Sequence, residues 1–254
     1  MSSKHCKGGS RVVTLDELKN VVTPEPLGPR HKPIPHYDIV SGLHTIIENS
    51  DYEISKESLA VGRAREKGGR VWEDTTLTAT LDIVSKRGQE EQEEEGMSLG
   101  LISSNVMERS VQIMCGARVF VCDNLMLTGD TIMLNKKHTL NLNLNLEIEQ
   151  GFDLFIDKEI TVRREIELLK EQIVTDREAD RFFYQLFAQK VLPTKFLHPI
   201  HETYYSDEQE EVNQYRGRAW GLHNACTRVF RDLPLHQKIR QTQAITTPFK
   251  ILNS

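Results

Sequence analysis

A histidine-containing cluster near the carboxyl end of the chain is the first candidate for chemistry. His198, His201 and Glu202 are side chains of the types that bind metal ions. The two histidines are three residues apart and flank Pro199, whereas zinc hydrolases place their histidine pair four residues apart on one helix face. No third ligand lies nearby in the sequence, so we predict no metal site.

Cysteine and histidine raise a second possibility, a nucleophile with its general base. Cys122 precedes Asp123, and His138 precedes Thr139. Cys122 ends an apolar run, however, and burial disfavours the thiolate that a nucleophile requires. We therefore predict a core thiol and no catalytic residue. An enzyme that uses Asp123, Asn124 and His138 stays open as an alternative.

Nucleotide chemistry has its own sequence signatures, and they are missing from this chain. The sequence contains neither a Walker-type phosphate loop nor a Gly-x-Gly-x-x-Gly turn. These motifs place backbone N–H groups around phosphates in nucleotide-dependent enzymes. We therefore predict no cofactor, and the protein is more consistent with a binding function than with an enzyme.

Basic residues indicate a different function, the binding of nucleic-acid phosphates. One group surrounds the glycines of a predicted hairpin tip, where an aromatic residue follows that is suited to stacking on a base. The alternative for this tip is an ordinary solvated loop. A second group of cations lies in the central part of the chain. The predicted nucleic-acid contacts are Arg63, Arg65, Lys67, Arg70, Trp72, Arg118, Lys136 and Lys137.

Composition limits the class of protein. The chain has 254 residues, of which 38% are hydrophobic and 27% charged, as in an ordinary globular protein with a buried core. The formal net charge is −5, and the five glutamates at 90–95 account for all of it, so a local basic surface is compatible with the composition. Without a secretory signal, a long apolar run or a Cys-x-x-Cys pair, the sequence predicts a reduced, cytoplasmic protein with no membrane partner.

The order of signals along the chain predicts an arm followed by one domain. Residues 1–35 combine a helix-capping pair, Thr14 with Glu17, and a proline-rich linker. We interpret this linker as a strap over the domain surface, or alternatively as an arm that contacts nucleic acid or another subunit. Residues 36–254 are predicted to form a single domain, with a helix and a sheet at 36–139 and helices at 140–254.

Hydrophobic periodicity predicts an α+β fold. Residues 37–49 carry one apolar stripe at helical spacing, and residues 71–85 alternate apolar and polar side chains as in an antiparallel strand. A second strand begins at Tyr52 and resumes after a turn at 55–58. Residues 98–139 predict an antiparallel β-meander whose middle strand, at 119–122, is buried on both faces. The amphipathic N-terminal helix and the long C-terminal helices are expected to pack against this sheet.

The carboxyl-terminal part predicts helices with identifiable starts. One long helix is expected at 140–172, and another begins at the capping pair Thr175 and Glu178. A loop containing Pro193 and Pro199 then leads to a last helix that extends from about 206 to 232. Trp220 lies among small residues of that helix, which favours tight packing over an exposed stacking role.

Two stretches, 116–139 and 220–227, carry a resemblance to a known family. Their matching elements are Cys122, Asp123, Asn124, His138, Thr139, Trp220 and Asn224. They resemble a widespread group of phage and plasmid proteins that is known as a domain of unknown function. The resemblance covers about residues 33–250, and the acidic insertion at 89–96 departs from the family pattern.

This resemblance implies an origin in a mobile element. A more distant similarity of architecture, to single-strand annealing recombinases, implies a homo-oligomer that holds single strands without ATP. The leading expectation is a phage-encoded accessory protein of DNA recombination or replication that binds and anneals single-stranded DNA in the cytoplasm of the infected bacterial host. The alternatives are a protein–protein adaptor or inhibitor of host defence, whose acidic tip mimics nucleic acid, and the enzyme considered above.

Overall fold

A computed structural model describes the backbone at 10–62, 65–67, 70–86, 95–119, 124–126 and 132–231, and then at 233, 237, 240–242, 244–245 and 248–249. Side chains are described for the same residues except 65–67, 70–71, 95–96, 115–119, 124–126 and 132–133. The chain divides into two compact units. The first comprises Met1–Gly116 and Asp130–Lys158, and the second comprises Ala117–Gly129 and Glu159–Ser254.

Strands and helices follow one another in separate blocks along most of the chain. The strands are β1 (Ser10–Val13), β2 (Tyr52–Gly62), β3 (Arg65–Lys67), β4 (Arg70–Trp72), β5 (Thr76–Ser85), β6 (Glu95–Ser104), β7 (Val111–Val119), β8 (Asn124–Met126) and β9 (Ile132–Lys136). The helices are α1 (Leu15–Leu18), α2 (His36–Glu48), α3 (Leu144–Glu171), α4 (Asp176–Ala188), α5 (Thr194–Tyr205), α6 (Glu210–Asn213) and α7 (Ala219–Phe230).

The strands form an antiparallel meander. Their order in the main sheet is β1-β2-β5-β6-β7-β8, and β9 also pairs with β7. The pairings whose registers the described residues define are all antiparallel, and β3 pairs with β4 in a separate two-stranded hairpin. The predicted α+β class is therefore confirmed.

Strand β5 shows how one-sided burial arises from a period of two residues. Leu77, Ala79, Leu81 and Ile83 are almost completely buried, while the polar residues between them are half-exposed. The predicted strand at 71–85 is nevertheless two strands, because Asp74 adopts a φ of 51° between β4 and β5. A left-handed residue cannot continue an extended run.

Two further strand predictions are corrected. The turn expected at 55–58 is part of the continuous strand β2, and only a bulge between Ile54 and Lys56 marks that position. A strand buried on both faces is found in β6, where Ser98, Leu99 and Leu101 are all buried. The predicted position of such a strand, 119–122, lies outside the described residues except for the backbone of Val119.

Helix packing completes the core of the first unit. Helix α2 buries Ile39, Val40, Leu43 and Ile47, the predicted apolar stripe, and it contacts strand β2. The long helix predicted at 140–172 is confirmed as α3. Its first half buries Phe152 and Phe155, and the Tyr52 ring meets both of them edge-on.

In the second unit, two predictions about helix boundaries are wrong. Pro199 lies inside helix α5, not in a loop, although it lacks the N–H that would bond to the carbonyl one turn earlier. The single last helix expected at 206–232 is two helices, α6 and α7, and Gly217 between them has a φ of +80°. Helices α5 and α7 pack against each other within this unit, and such packing overrides local propensity.

The length and hydropathy of the described helices can be compared with what a membrane span requires. None of them is both long enough and apolar enough to cross a bilayer.

Candidate functional site

The proline-rich segment 24–36, called the strap below, lies against the Lys-Lys-His-Thr sequence in the first unit. His31 forms an antiparallel bridge with Thr139, and the Lys32 N–H donates to the His138 carbonyl at 3.2 Å. The strap thereby lies beside a segment that is more than 100 residues away in the sequence. These are contacts of a strap that lies over the domain surface, and contacts of this linker with nucleic acid or another subunit stay a prediction.

Asn105 anchors the strap. Its Oδ1 atom accepts from the Ile34 N–H at 2.9 Å, and its Nδ2 group donates to the Ile34 carbonyl at 2.9 Å. Both residues are buried, so this side chain satisfies two strap backbone groups that water cannot reach. The Asn105 N–H in turn donates to the Thr75 carbonyl. The sequence predicted no contact between Asn105 and the strap, because nothing local indicates this distant partner.

Three buried histidines lie where the strap is seated. The His36 Nε2–H donates to the Asp74 carbonyl at 3.0 Å, and His31 Nδ1 accepts from the Leu27 N–H at 3.1 Å. His138 Nε2 is hydrogen-bonded to the Ser103 hydroxyl at 3.0 Å, and the rings of His31 and His138 are 6.2 Å apart. The remaining nitrogen of each ring is buried without a hydrogen-bond partner.

Burial keeps these histidines uncharged at neutral pH. It lowers the pKa of His36 to about 4. The pKa of His138 also falls to about 4, chiefly through burial and further through the nearby His31 and His36, while burial lowers the pKa of His31. Among the described residues, no group of three His, Cys, Asp or Glu side chains is placed to hold a metal ion. At neutral pH the three rings are therefore uncharged where the strap is seated.

Above this buried layer lie exposed cations. Arg30 and Lys32 on the strap and Lys137 beside it have exposed side chains, and we call these three residues the basic seam. No described acidic side chain forms an ion pair with any of them. Lys136, in contrast, is paired with Glu147 at 2.9 Å, so its charge is largely compensated. Lys137 belongs to the predicted set of phosphate contacts, whereas Arg30 and Lys32 are not among those predicted contacts.

Four of the other predicted nucleic-acid contacts lie on the β3–β4 hairpin, namely Arg65, Lys67, Arg70 and Trp72. Arg65 pairs with Trp72 and Lys67 pairs with Arg70 in its register, and the Trp72 side chain is half-buried. Arg63 lies outside the described residues. Arg118 lies on β7, in the second unit. The contacts of these residues with nucleic acid remain predictions.

The family-type motifs fall in different environments. Cys122 and Asp123 lie outside the described residues, and Asn124 begins β8. The buried His138 is hydrogen-bonded to the Ser103 hydroxyl. Because Asp123 is not described, an enzyme that uses Asp123, Asn124 and His138 stays an alternative.

The second family-type motif, at 220–227, lies in the buried helix α7. Trp220 is 1% exposed and stacks on the His223 ring at 5.2 Å, and the Asn224 Nδ2 group donates to the Glu211 carbonyl at 3.0 Å. The packing interpretation of Trp220 is therefore confirmed. His198 and His201 lie on α5, where His198 is within 3.3 Å of Glu202.

Fold and site together define an α+β protein whose first unit holds a strap and three exposed cations, none of which forms an ion pair with a described acidic side chain. The chain belongs to the family described as Domain of unknown function (DUF932), whose model matches residues 25–247. The matched region includes nearly all of the strap as well as both units. No curated protein and no solved structure matches the chain.

Proposed function

We propose that this protein binds single-stranded DNA and anneals it, as an ATP-independent oligomeric accessory protein of phage or plasmid recombination or replication. The observation that carries the proposal is the basic seam. Arg30, Lys32 and Lys137 come from two distant segments and present exposed positive charge that no described acidic side chain compensates. Such cations contact phosphates irrespective of base sequence.

The buried layer below the seam supports this proposal by fixing where the cations lie. The Asn105 amide and the bridge between His31 and Thr139 hold the strap backbone at two points, one on each side of Lys32 and Pro33. A preorganised cation loses less conformational freedom on binding than a cation on an unanchored arm. The strap thus serves as part of the binding surface.

Replacement of the seam cations tests the proposal. In the triple variant Arg30→Ala/Lys32→Ala/Lys137→Ala, we expect weaker binding of a fluorescently labelled single-stranded oligonucleotide, measured by anisotropy. The dependence of log affinity on log salt should flatten by about 0.7 for each phosphate contact removed. Because all three side chains are exposed, the thermal unfolding midpoint should stay close to that of the wild type.

A matched control separates this effect from a general loss of positive charge. Lys19 is also exposed, but its ammonium group is paired with Asp16 at 2.8 Å. Lys19→Ala should therefore leave the salt dependence unchanged. If the wild-type protein binds no single strand even at low salt, the proposed function is wrong.

The acidic run at 90–95 offers a second test, which also distinguishes the adaptor alternative. Changing its five glutamates to glutamine brings the formal net charge from −5 to 0 and preserves the chain length. For a single-strand binding protein, we expect higher affinity and faster association, since repulsion of the phosphates decreases. An adaptor that uses this run as a nucleic-acid mimic would bind no oligonucleotide either before or after the change, and that result would favour the alternative.

A further inference from the structure

Helix α4 of the second unit presents an outer face on which cationic and aromatic side chains are interleaved. Arg177, Arg181 and Tyr184 follow one another at spacings of four and three residues, which places them on one side of a helix. Phe187 continues the row three residues further on. Both arginines are exposed, Tyr184 is 68% exposed and Phe187 is 55% exposed. The opposite side of α4 buries Ala179, Phe182, Phe183 and Leu186.

The arginines on this face are available to an anion. No described acidic side chain forms an ion pair with Arg177 or Arg181. Two neighbouring carboxylates already have hydrogen-bond partners, since Glu178 accepts from Thr175 and Asp180 accepts from the Tyr205 hydroxyl at 2.9 Å. The face therefore combines free guanidinium groups with exposed rings. Large exposed aromatic side chains in such a group typically mark an interaction surface.

We propose that this face of α4, defined by Arg177, Arg181, Tyr184 and Phe187, is a stacking surface for unpaired bases of single-stranded nucleic acid. The proposal rests on the proposed function and extends it by separating two contacts. The basic seam contacts phosphates, and the rings of α4 stack on bases. Arginine beside aromatic side chains suits this ligand, because guanidinium groups bind phosphates while every base offers a π-face to a ring.

The dimensions of the face fit a short stretch of single strand. At about 1.5 Å per residue along a helix, Arg177 and Phe187 are about 15 Å apart along the axis. This distance corresponds to about four nucleotides of a stacked strand at roughly 3.4 Å each. Trp72, the stacking residue expected from the sequence, is half-buried, whereas both rings of α4 are mainly exposed.

The test compares strands with and without bases. Anisotropy measures binding of a labelled thymidine homopolymer and of an abasic strand of equal length to the full chain. In Tyr184→Ala/Phe187→Ala, affinity for the thymidine strand should fall by roughly tenfold per ring, while affinity for the abasic strand stays constant. Tyr184→Phe should retain wild-type affinity because it keeps the ring. Arg177→Ala/Arg181→Ala should weaken binding of both strands and flatten the salt dependence.

Exposed apolar residues on α3 provide the matched control. Ile160 is 76% exposed and Leu168 is 49% exposed, so Ile160→Ala/Leu168→Ala removes similar apolar surface from the same unit without removing a ring. This variant should bind both strands as the wild type does. Far-ultraviolet circular dichroism confirms that each variant is folded.

The outcomes separate this inference from the proposed function. If the wild type binds single strands and Tyr184→Ala/Phe187→Ala binds the thymidine strand and the abasic strand with wild-type affinity, the stacking surface is wrong and the proposed function stands. If the ring variant keeps its DNA affinity but changes oligomeric mass in light scattering, the face is a protein interface, which also overturns the inference. If the wild type binds neither strand, both proposals fail.

Discussion

Gly221→Ala is expected to destabilise the second unit by about 3 kcal/mol, although alanine is intrinsically the better helix former. A Cβ atom at Gly221 would lie 2.3 Å from the Tyr215 carbonyl oxygen and 2.8 Å from the Tyr215 carbonyl carbon. These are backbone atoms, so no side-chain rotation can relieve the overlap. Helix α7 or the turn before it must shift, and α7 is buried along almost its whole length.

Thermal unfolding followed by circular dichroism measures this effect. For a chain of this size, 3 kcal/mol corresponds to a decrease of about 10 °C in the unfolding midpoint. Gly28→Ala is the matched control, because a Cβ atom there would meet nothing within 4 Å. That variant should stay within about 0.5 kcal/mol of the wild type. An unchanged or higher midpoint for Gly221→Ala would show that the close approach of α7 to Tyr215 does not exist.

Acid is expected to release the strap through the buried histidines. The folded state lowers the pKa of both His36 and His138 to about 4, below the ordinary value of 6.5. Their neutral forms therefore contribute stability that is fully present above pH 6.5 and is lost as the pH falls from 6.5 to about 4. Since one pKa unit corresponds to about 1.4 kcal/mol, His36 alone accounts for about 3 kcal/mol of this loss.

Other histidines of the same unit also make the free energy of unfolding depend on pH, so the contribution of His36 and His138 must be measured as a difference between two proteins. The hydrogen bond that the His44 ring donates to the Glu57 carboxylate raises the pKa of His44, so His44 contributes stability that is present below pH 6.5 and is lost as the pH rises through its raised pKa. His31 titrates in the same direction as His36 and His138 because burial lowers its pKa. The informative quantity is therefore the pH dependence of unfolding free energy in the wild type minus that in a variant.

His36→Gln/His138→Gln provides this comparison, since the glutamine amide can replace the Nε2 hydrogen bonds to Asp74 and Ser103 and cannot take up a proton. We expect urea unfolding of the variant to depend less steeply on pH between 6.5 and 4. Val22→Gln, which changes a side chain that is 81% exposed and does not titrate, should keep the wild-type profile. Parallel profiles for the wild type and the double variant would contradict the role assigned to the buried histidines.

Much of the fold was predictable because its causes are local. The capping boxes at Thr14 and Thr175 form as expected, since each joins a side chain to a backbone group three residues away. The alternation in β5 and the apolar stripe of α2 also appear in the structure, because backbone geometry sets the periods of strands and helices. These patterns were sufficient for the α+β class and the antiparallel meander.

Predictions failed where a distant contact outweighed a local preference. Pro199 predicted a loop, yet α5 continues through it while burying Phe196, Ile200 and Tyr204 against its neighbours. The helix expected to run through 206–232 is interrupted at Gly217, where the chain turns so that the Val174 N–H can donate to the Gly217 carbonyl. Local helix propensities are worth about 1 kcal/mol or less per residue and about 3 kcal/mol for proline, and packing can exceed both.

The sequence by itself determined the chemical types available to the site, namely cations, imidazole groups and aromatic rings, because these follow from residue identity. Tertiary structure alone decided which of them are exposed and adjacent. The strap lies against the segment that carries Lys137 because His31 bridges Thr139, and Asn105 bonds to Ile34 across 71 positions of sequence. Tyr184 and Phe187 face outward because other side chains of α4 fill the core. Exposure and long-range adjacency are properties of the packed chain, and no local periodicity encodes them.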